Sequence, residues 1–573
     1  MSPESEASEV LLALEKAART PNFHLLDLND VFGLRNWSAV RNIEADVDPF
    51  SDDLDNEIID ADLTSRFMAS AFQIDAIVSM LNVLSSFANE IQSRLKQSHK
   101  CITEKLSKCI NELPDELIAT VFQFTVWEEG HEGGRQALFL SQISRRFREI
   151  ALGTRSLWAT LSSSNSTSQL ETCISRAGLN EEYHAYIHYD SSIYSSGIYS
   201  FMDACQSSTS RWKTVTLTQD ESIWVDDQTV YSSITILLDK LSSSLIERGL
   251  QLPMLEELDI RGHSKTSHTI TRRDVREWAP NLRTLRCSYA LFVPTAALTS
   301  VSTFDYTQIF SDRIHNPLSS LRSMLEFLSF LPNLITFSLE LHSANELACN
   351  WAILATECPS IISFHLQLRS LQLKEELEPQ ASYLASLMNA LRIPSLEKLT
   401  ISLGFWDTRD EMDGDGWTLA LEQLLMVLIP KHFLKSSRLK SLSYFLWLDR
   451  DTPLSYWEQA VPHDNRIFYI PLDRIFHIQN LTISSWFRVQ FVKYAPYLRR
   501  IHLRERCRLR ELKFIGCENM AGVDLGGIVR SLLCEFDVWE KIERVSVKNC
   551  KNLAYEDLMW IIGEEKLRYL DMI

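Results

Sequence analysis

The side chains best suited to chemistry lie near the C-terminus. Tyr497 to Lys513 reads YLRRIHLRERCRLRELK, in a chain whose formal net charge is −18. Arg500, His502 and Arg504 alternate with Leu498, Ile501 and Leu503, Lys513 follows on the next apolar pattern, and Arg544 and Lys548 repeat the arrangement further on. Clustered guanidinium groups grip phosphate or carboxylate through paired, charge-assisted hydrogen bonds. The sharp expectation is therefore a site for an acidic or phosphorylated segment of a protein partner. The plain one is a solvated strand edge. A second candidate is Glu411, Asp413, Asp415, Gly416 and Glu422, at positions 1, 3, 5, 6 and 12 of a calcium-loop spacing. Glu stands where Asp is usual, and Leu399–Trp406 upstream reads as a strand, so an acidic loop before a helix near Trp417 is expected and no metal site. No nucleophile elbow, zinc-protease helix, phosphate loop or kinase set is present, and isolated histidines such as His342 and His365 read as strand residues. The chain is not expected to be an enzyme, and no cofactor is expected.

The elements that must carry these groups recur. From Leu255 onward the pattern apolar-x-x-apolar-x-apolar returns as Leu255-Leu258-Ile260, Leu282-Leu285-Cys287, Leu334-Phe337-Leu339, Ile361-Phe364-Leu366, Leu396-Leu399-Ile401, Leu439-Leu442-Tyr444, Ile478-Leu481-Ile483, Leu509-Leu512-Phe514, Ile542-Val545-Val547 and Leu567-Leu570-Met572. Weaker copies start at Trp212 and Val301. Copies at Leu498 and Leu509 are too close for both to open a unit. Alternation with period two predicts strands whose other face is polar, and helical patterns fill the gaps. This resembles leucine-rich repeats. The resemblance implies an α/β repeat, a leucine-rich-repeat-like solenoid over 170–573, with its polar strand face open to a partner. A doubly wound α/β fold competes, but no Gly-rich phosphate loop follows any strand.

A helical unit is expected before it, at 108–160. Pro114 suits a first helical turn, Asp115 and Glu116 match the positive end of the helix dipole, and Leu113, Leu117, Val121 and Phe122 share a face. Gln136–Trp158 continues the helical spacing with Leu138, Ile143, Phe147 and Ile150. Leu113-Pro114, Glu116-Leu117, Arg145-Arg146-Phe147 and Trp158 resemble, in that order, the F-box, an all-α module. Together with the repeats the chain resembles fungal-type F-box proteins with a C-terminal leucine-rich-repeat-like domain. The resemblance implies a substrate-recognition subunit of a Skp–cullin–F-box ubiquitin ligase. Its adaptor contact would fall on Leu113, Pro114, Leu117, Val121, Phe122, Leu138, Ile143 and Phe147, and its repeats would hold an unknown protein substrate. A binding scaffold without a ligase link, capped by 108–160, is the alternative.

The rest sets bounds. At 573 residues and 45% hydrophobic content the chain exceeds one compact core. Residues 1–62 hold 15 Asp/Glu against 4 Lys/Arg and read as disordered. Residues 63–107 form a long helical pattern with Ile74, Leu81, Ala88, Leu95 and Ile102 every seven residues, a possible coiled coil or a helix packed on its neighbours. Ser162–Ser168 reads as a linker. The acidic balance argues against nucleic acid and anionic membranes. Eleven cysteines without close pairs, no basic leader and no long apolar run point to a reducing compartment, the cytoplasm and/or nucleus.

Overall fold

The computed structural model describes residues 112–189, 196–219, 233–262, 269–309 (without 274, 289–290 and 295), 317–342, 355–371 and 378–405. It continues over 414–448 (without 431 and 434–437), 466–492 (without 473) and 504–570, with Ile110 and scattered positions from 78 to 97. Two compact units divide the chain, Met1–Pro114 and Asp115–Ile573. In the first, the described positions from 78 to 97 are helical, and Leu95 of the heptad is exposed. Ile74, Leu81, Ala88 and Ile102 lie outside the described residues, as do 1–62.

The second unit opens with α1 (Asp115–Glu128), α2 (Gly133–Ile143) and α3 (Arg145–Gly153). The sequence reading ran one helical pattern through Gln136–Trp158. Ser144 interrupts it: its backbone is extended (φ −152°, ψ 167°) and its hydroxyl accepts the Phe147 amide at 3.1 Å, an N-cap that starts α3 anew. The strands follow as β1 (Thr160–Ser162), β2 (Tyr183–Tyr189), β3 (Trp212–Gln219), β4 (Glu257–Arg261), β5 (Thr269–Arg273), β6 (Thr284–Ser288), β7 (Leu291–Pro294), β8 (Thr303–Ile309), β9 (Thr336–His342) and β10 (Thr356–Glu357). Then come β11 (Ser363–Leu371), β12 (Leu391–Arg392), β13 (Lys398–Phe405), β14 (Ser441–Leu448), β15 (Ile467–Pro471), β16 (Asn480–Ser485), β17 (Arg488–Val492), β18 (Glu511–Ile515), β19 (Arg544–Lys548) and β20 (Leu567–Leu570). The crossover helices include α4 (Thr167–Ala177), α5 (Ser196–Cys205), α6 (Ser233–Glu247), α7 (Pro317–Ser329), α8 (Glu378–Ala390), α9 (Gly414–Leu428), α10 (Gly522–Arg530) and α11 (Tyr555–Ile562).

Fourteen strands make one parallel sheet in the order β1-β2-β3-β4-β6-β8-β9-β11-β13-β14-β16-β18-β19-β20. The pairs β5–β7, β10–β12 and β15–β17 stand apart as two-stranded sheets. The register aligns the strand apolar residues across the sheet: Val215, Leu258, Leu285, Phe304, Phe337, Phe364, Leu399, Leu442, Leu481, Leu512, Val545 and Leu567 form one lateral column. Nearly all are fully buried, each contributing about 1.5–3 kcal/mol. The copy at Leu509 supplies β18, while Leu498, Ile501 and Leu503 lie outside the described residues. The last expected copy is offset by three: Leu567, not Leu570, pairs with Val545.

The expected fold is corrected in two respects. The structure is an α/β fold built on one continuous parallel sheet, not a leucine-rich-repeat-like solenoid. Its connections share no constant unit: the step from Leu285 to Phe304 is less than half that from Val215 to Leu258, and some crossovers carry a long helix where others carry a two-stranded pair. Nor is there a separate all-α F-box module. The opening helices belong to the same compact unit as the sheet, because glycines let α2 settle on β1. A Cβ on Gly134 would stand 3.0 Å from the Thr160 carbonyl oxygen of β1, and one on Gly133 would stand 3.1 Å from the Thr160 hydroxyl and 2.7 Å from the Val126 carbonyl oxygen of α1. Trp158 is fully buried at this junction and donates from Nε1 to the Ala151 carbonyl at 2.8 Å. The expected linker is structural too. Ser162 ends β1, and Ser166 with Gln169 forms a capping box for α4.

Candidate functional site

Two surfaces could bind a partner. The first lies on α1 and α2. Ile118, Phe122 and Val126 turn inward. Leu117, Val121, Phe124 and Trp127 recur at four, three and three residues and are all exposed, Trp127 at 76%. On α2, Phe139 and Ile143, one turn apart, are also exposed. The Asp115 carboxylate accepts Nε and Nη2 of Arg146 at 2.9 and 2.6 Å, which fixes the start of α3 to the start of α1. Six large apolar side chains are thus left in water on two neighbouring helices. That is far more than scattered surface residues require.

This surface overlaps the sequence-derived adaptor set without coinciding with it. Leu117, Val121 and Ile143 are exposed, and Pro114 is too. Leu113 and Leu138 are half-buried. Phe122 is not available: it is 3% exposed and meets the half-buried Phe147 ring edge to face at 4.9 Å. Phe124, Trp127 and Phe139 were missed. Their helical spacing was readable in the sequence, but no local signal separates an apolar face turned out from one turned in.

The second surface is the polar face of the sheet. Along β9 and β11 every second residue is solvent-facing, and the register sets these residues in columns. A cleft of about 280 Å³ opens on β4 to β9, lined by Asp259, Arg261, Arg286, Asp305, Thr307 and Glu340 among others. Its charges are mostly satisfied within the face. Arg261 pairs with the buried Asp259 at 2.8 Å, and Arg286 pairs with Glu257 and, at 3.2 Å, with Asp305. Glu340 accepts from Thr307 at 3.2 Å and Gln367 at 3.1 Å and sits 2.5 Å from Arg369 and 3.1 Å from His342. The two carboxylates differ. Burial raises the Asp305 pKa, and Arg286 offsets this only in part. Burial pushes Glu340 the same way, but the His342 hydrogen bond, Arg369 and Thr307 outweigh it and hold its pKa below the ordinary value. His365 bonds Ser402 at 2.9 Å, and burial lowers its pKa, so the imidazole is neutral near pH 7.

The expected basic cluster is dispersed by its own partners. Arg504 pairs with Asp537 at 3.2 Å, Lys513 with Glu511 at 3.1 Å, and Arg544 with the same Glu511 at 3.4 Å. Lys548 ends β19 on the same face as Arg544. Arg500 and His502 lie outside the described residues. In the calcium-loop candidate, Glu411 and Asp413 are outside, whereas Asp415, Gly416 and Glu422 all fall within α9. A helix from Gly414 leaves no twelve-residue loop to wrap an ion. Among the described residues, no three His, Cys, Asp or Glu gather to hold a metal, and no helix is long and apolar enough to cross a membrane. Neither the protein-family models nor the curated proteins compared with this chain match it.

Proposed function

We propose that this chain is a substrate-recognition subunit of a Skp–cullin–F-box ubiquitin ligase, acting in the cytoplasm or nucleus. The exposed stripe of Leu117, Val121, Phe124, Trp127, Phe139 and Ile143 docks the Skp-type adaptor and, through it, a cullin. The polar sheet face takes the protein to be ubiquitinated. The stripe is the observation that carries the reading: apolar anchors at helical spacing are what a helix-in-groove interface uses. An acidic or phosphorylated target would have to open the Arg504–Asp537 and Arg544–Glu511 pairs to reach those guanidinium groups.

The alternative is a protein-binding scaffold without a ligase link, whose opening helices only cap the sheet. The close seating of Gly133 and Gly134 near Val126 and Thr160 favours it. Capture of purified Skp-type adaptor by the full-length chain separates the two. The ligase reading expects capture, lost in Val121→Asp plus Phe124→Asp with the unfolding midpoint kept. No capture by the intact chain overturns it in favour of the scaffold.

A further inference from the structure

Strands β18 and β19 end alike. Each is followed by a residue in the left-handed region, Gly516 at φ +61° and Asn549 at φ +55°, and then by a cysteine, Cys517 or Cys550. Ile515 pairs with Lys548, and the Gly516 amide donates to the Lys548 carbonyl at 2.8 Å. The strand pairing therefore continues past the strand ends and delivers the two cysteines side by side. Neighbouring strands lie about 4.7–4.9 Å apart, within the roughly 4.4–6.8 Å Cα separation that a disulfide spans. The Cys517 thiol donates to the Ile483 carbonyl and the Cys550 thiol to the Lys548 carbonyl, each at 3.5 Å. Cys517 is enclosed, and Cys550 keeps a narrow opening beside the exposed Lys551 and Asn552.

We propose that Cys517 and Cys550 form an oxidisable dithiol, which a hydroperoxide closes to a disulfide between the ends of β18 and β19. The Cys550 thiolate attacks one peroxide oxygen. The O–O bond breaks, the other oxygen leaves as an alcohol or water after taking a proton, and Cys550 becomes a sulfenic acid. The Cys517 sulfur then attacks the sulfenic sulfur and gives up its proton. The S–O bond breaks, water leaves, and the S–S bond forms. Two thiols supply the two electrons that reduce one peroxide.

The surroundings select this pair. Burial pushes the thiols of Cys173 and Cys358 up to about 11 and that of Cys205 to about 12, where they are inert at neutral pH. The Cys550 thiol is pulled down to about 7, first by the Cys517 thiol and then, against burial, by neighbouring backbone groups.

The test treats the full-length protein with hydrogen peroxide at neutral pH and maps its peptides without reduction. The expected result is a Cys517–Cys550 cross-linked peptide, two hydrogens lighter, appearing before oxidation of the exposed Cys534. In Cys517→Ser a sulfenic acid persists on Cys550 and is trapped by dimedone. In Cys550→Ser no cross-link forms and Cys517 stays reduced. Oxidation of Cys534 with Cys517 and Cys550 left as thiols overturns the proposal, as does a cross-link that forms only after denaturation. Unfolding midpoints of both serine variants, unchanged from the parent, exclude misfolding as the cause.

Discussion

Phe122 and Phe147 meet edge to face at 4.9 Å, from α1 to α3. The contact takes Phe122, an expected adaptor-facing residue, into the core, half-covers Phe147, and fixes which side of α1 looks outward. Replacing Phe122 by Ala should cost about 3–5 kcal/mol through a cavity. Val121→Ala, one residue away but 55% exposed, should cost well under 1 kcal/mol. Chemical denaturation of the two variants checks this, and equal losses would mean that the face assignment is wrong.

The seating of α2 against α1 and β1 has its own test. A methyl group on Gly133 meets backbone, the Val126 carbonyl oxygen of α1, which cannot swing aside as a side chain can, and stands 3.1 Å from the Thr160 hydroxyl of β1. Gly133→Ala should lower the unfolding midpoint although alanine is the better helix former by about 1 kcal/mol. A stabilised variant would show that α2 does not pack this closely on its neighbours.

The cleft carboxylates predict opposite pH behaviour. Glu340 has a folded pKa below its ordinary 4.5. Its charge therefore stabilises the fold above that pH, and the contribution is lost as pH falls through the folded value. Glu340→Gln should destabilise at pH 7 and converge with the parent in acid. Asp305 has a folded pKa above its ordinary 3.8, so its ionisation costs stability at neutral pH. Asp305→Asn should be neutral or stabilising at pH 7, with the difference vanishing in acid. Urea titrations at pH 7 and pH 3 measure both signs.

Arg488 holds the buried Asp524 with Nε at 2.9 Å and Nη2 at 2.6 Å. The other Asp524 oxygen accepts the Ala521 amide at 2.9 Å and starts α10. Arg488→Met strands this carboxylate. The loss should lie near or below the lower end of the ~3–5 kcal/mol typical of a broken buried pair, because Arg488 is itself about one-third exposed. Arg488→Met plus Asp524→Ala should recover part of the loss in a double-mutant cycle, and strict additivity would refute the pairing.

What the sequence determined by itself was local and periodic. The alternation around Leu258, Leu399 or Leu512 marks a strand with one buried face, because a period of two is written in adjacent residues. The acid after Pro114 acts within one helical turn. What only tertiary structure decided depends on residues far apart. Both sides of α1 are apolar, so Phe124 and Trp127 could be told from Phe122 only by where Phe147 packs. Arg504 and Arg544 looked like a free basic cluster until Asp537 and Glu511 arrived from 33 residues away. The offset at Leu567 was set by hydrogen bonding to β19, and the union of helices and sheet by the absence of side chains at Gly133 and Gly134. In each case the deciding energy belongs to a contact between distant segments, which no window of the chain contains.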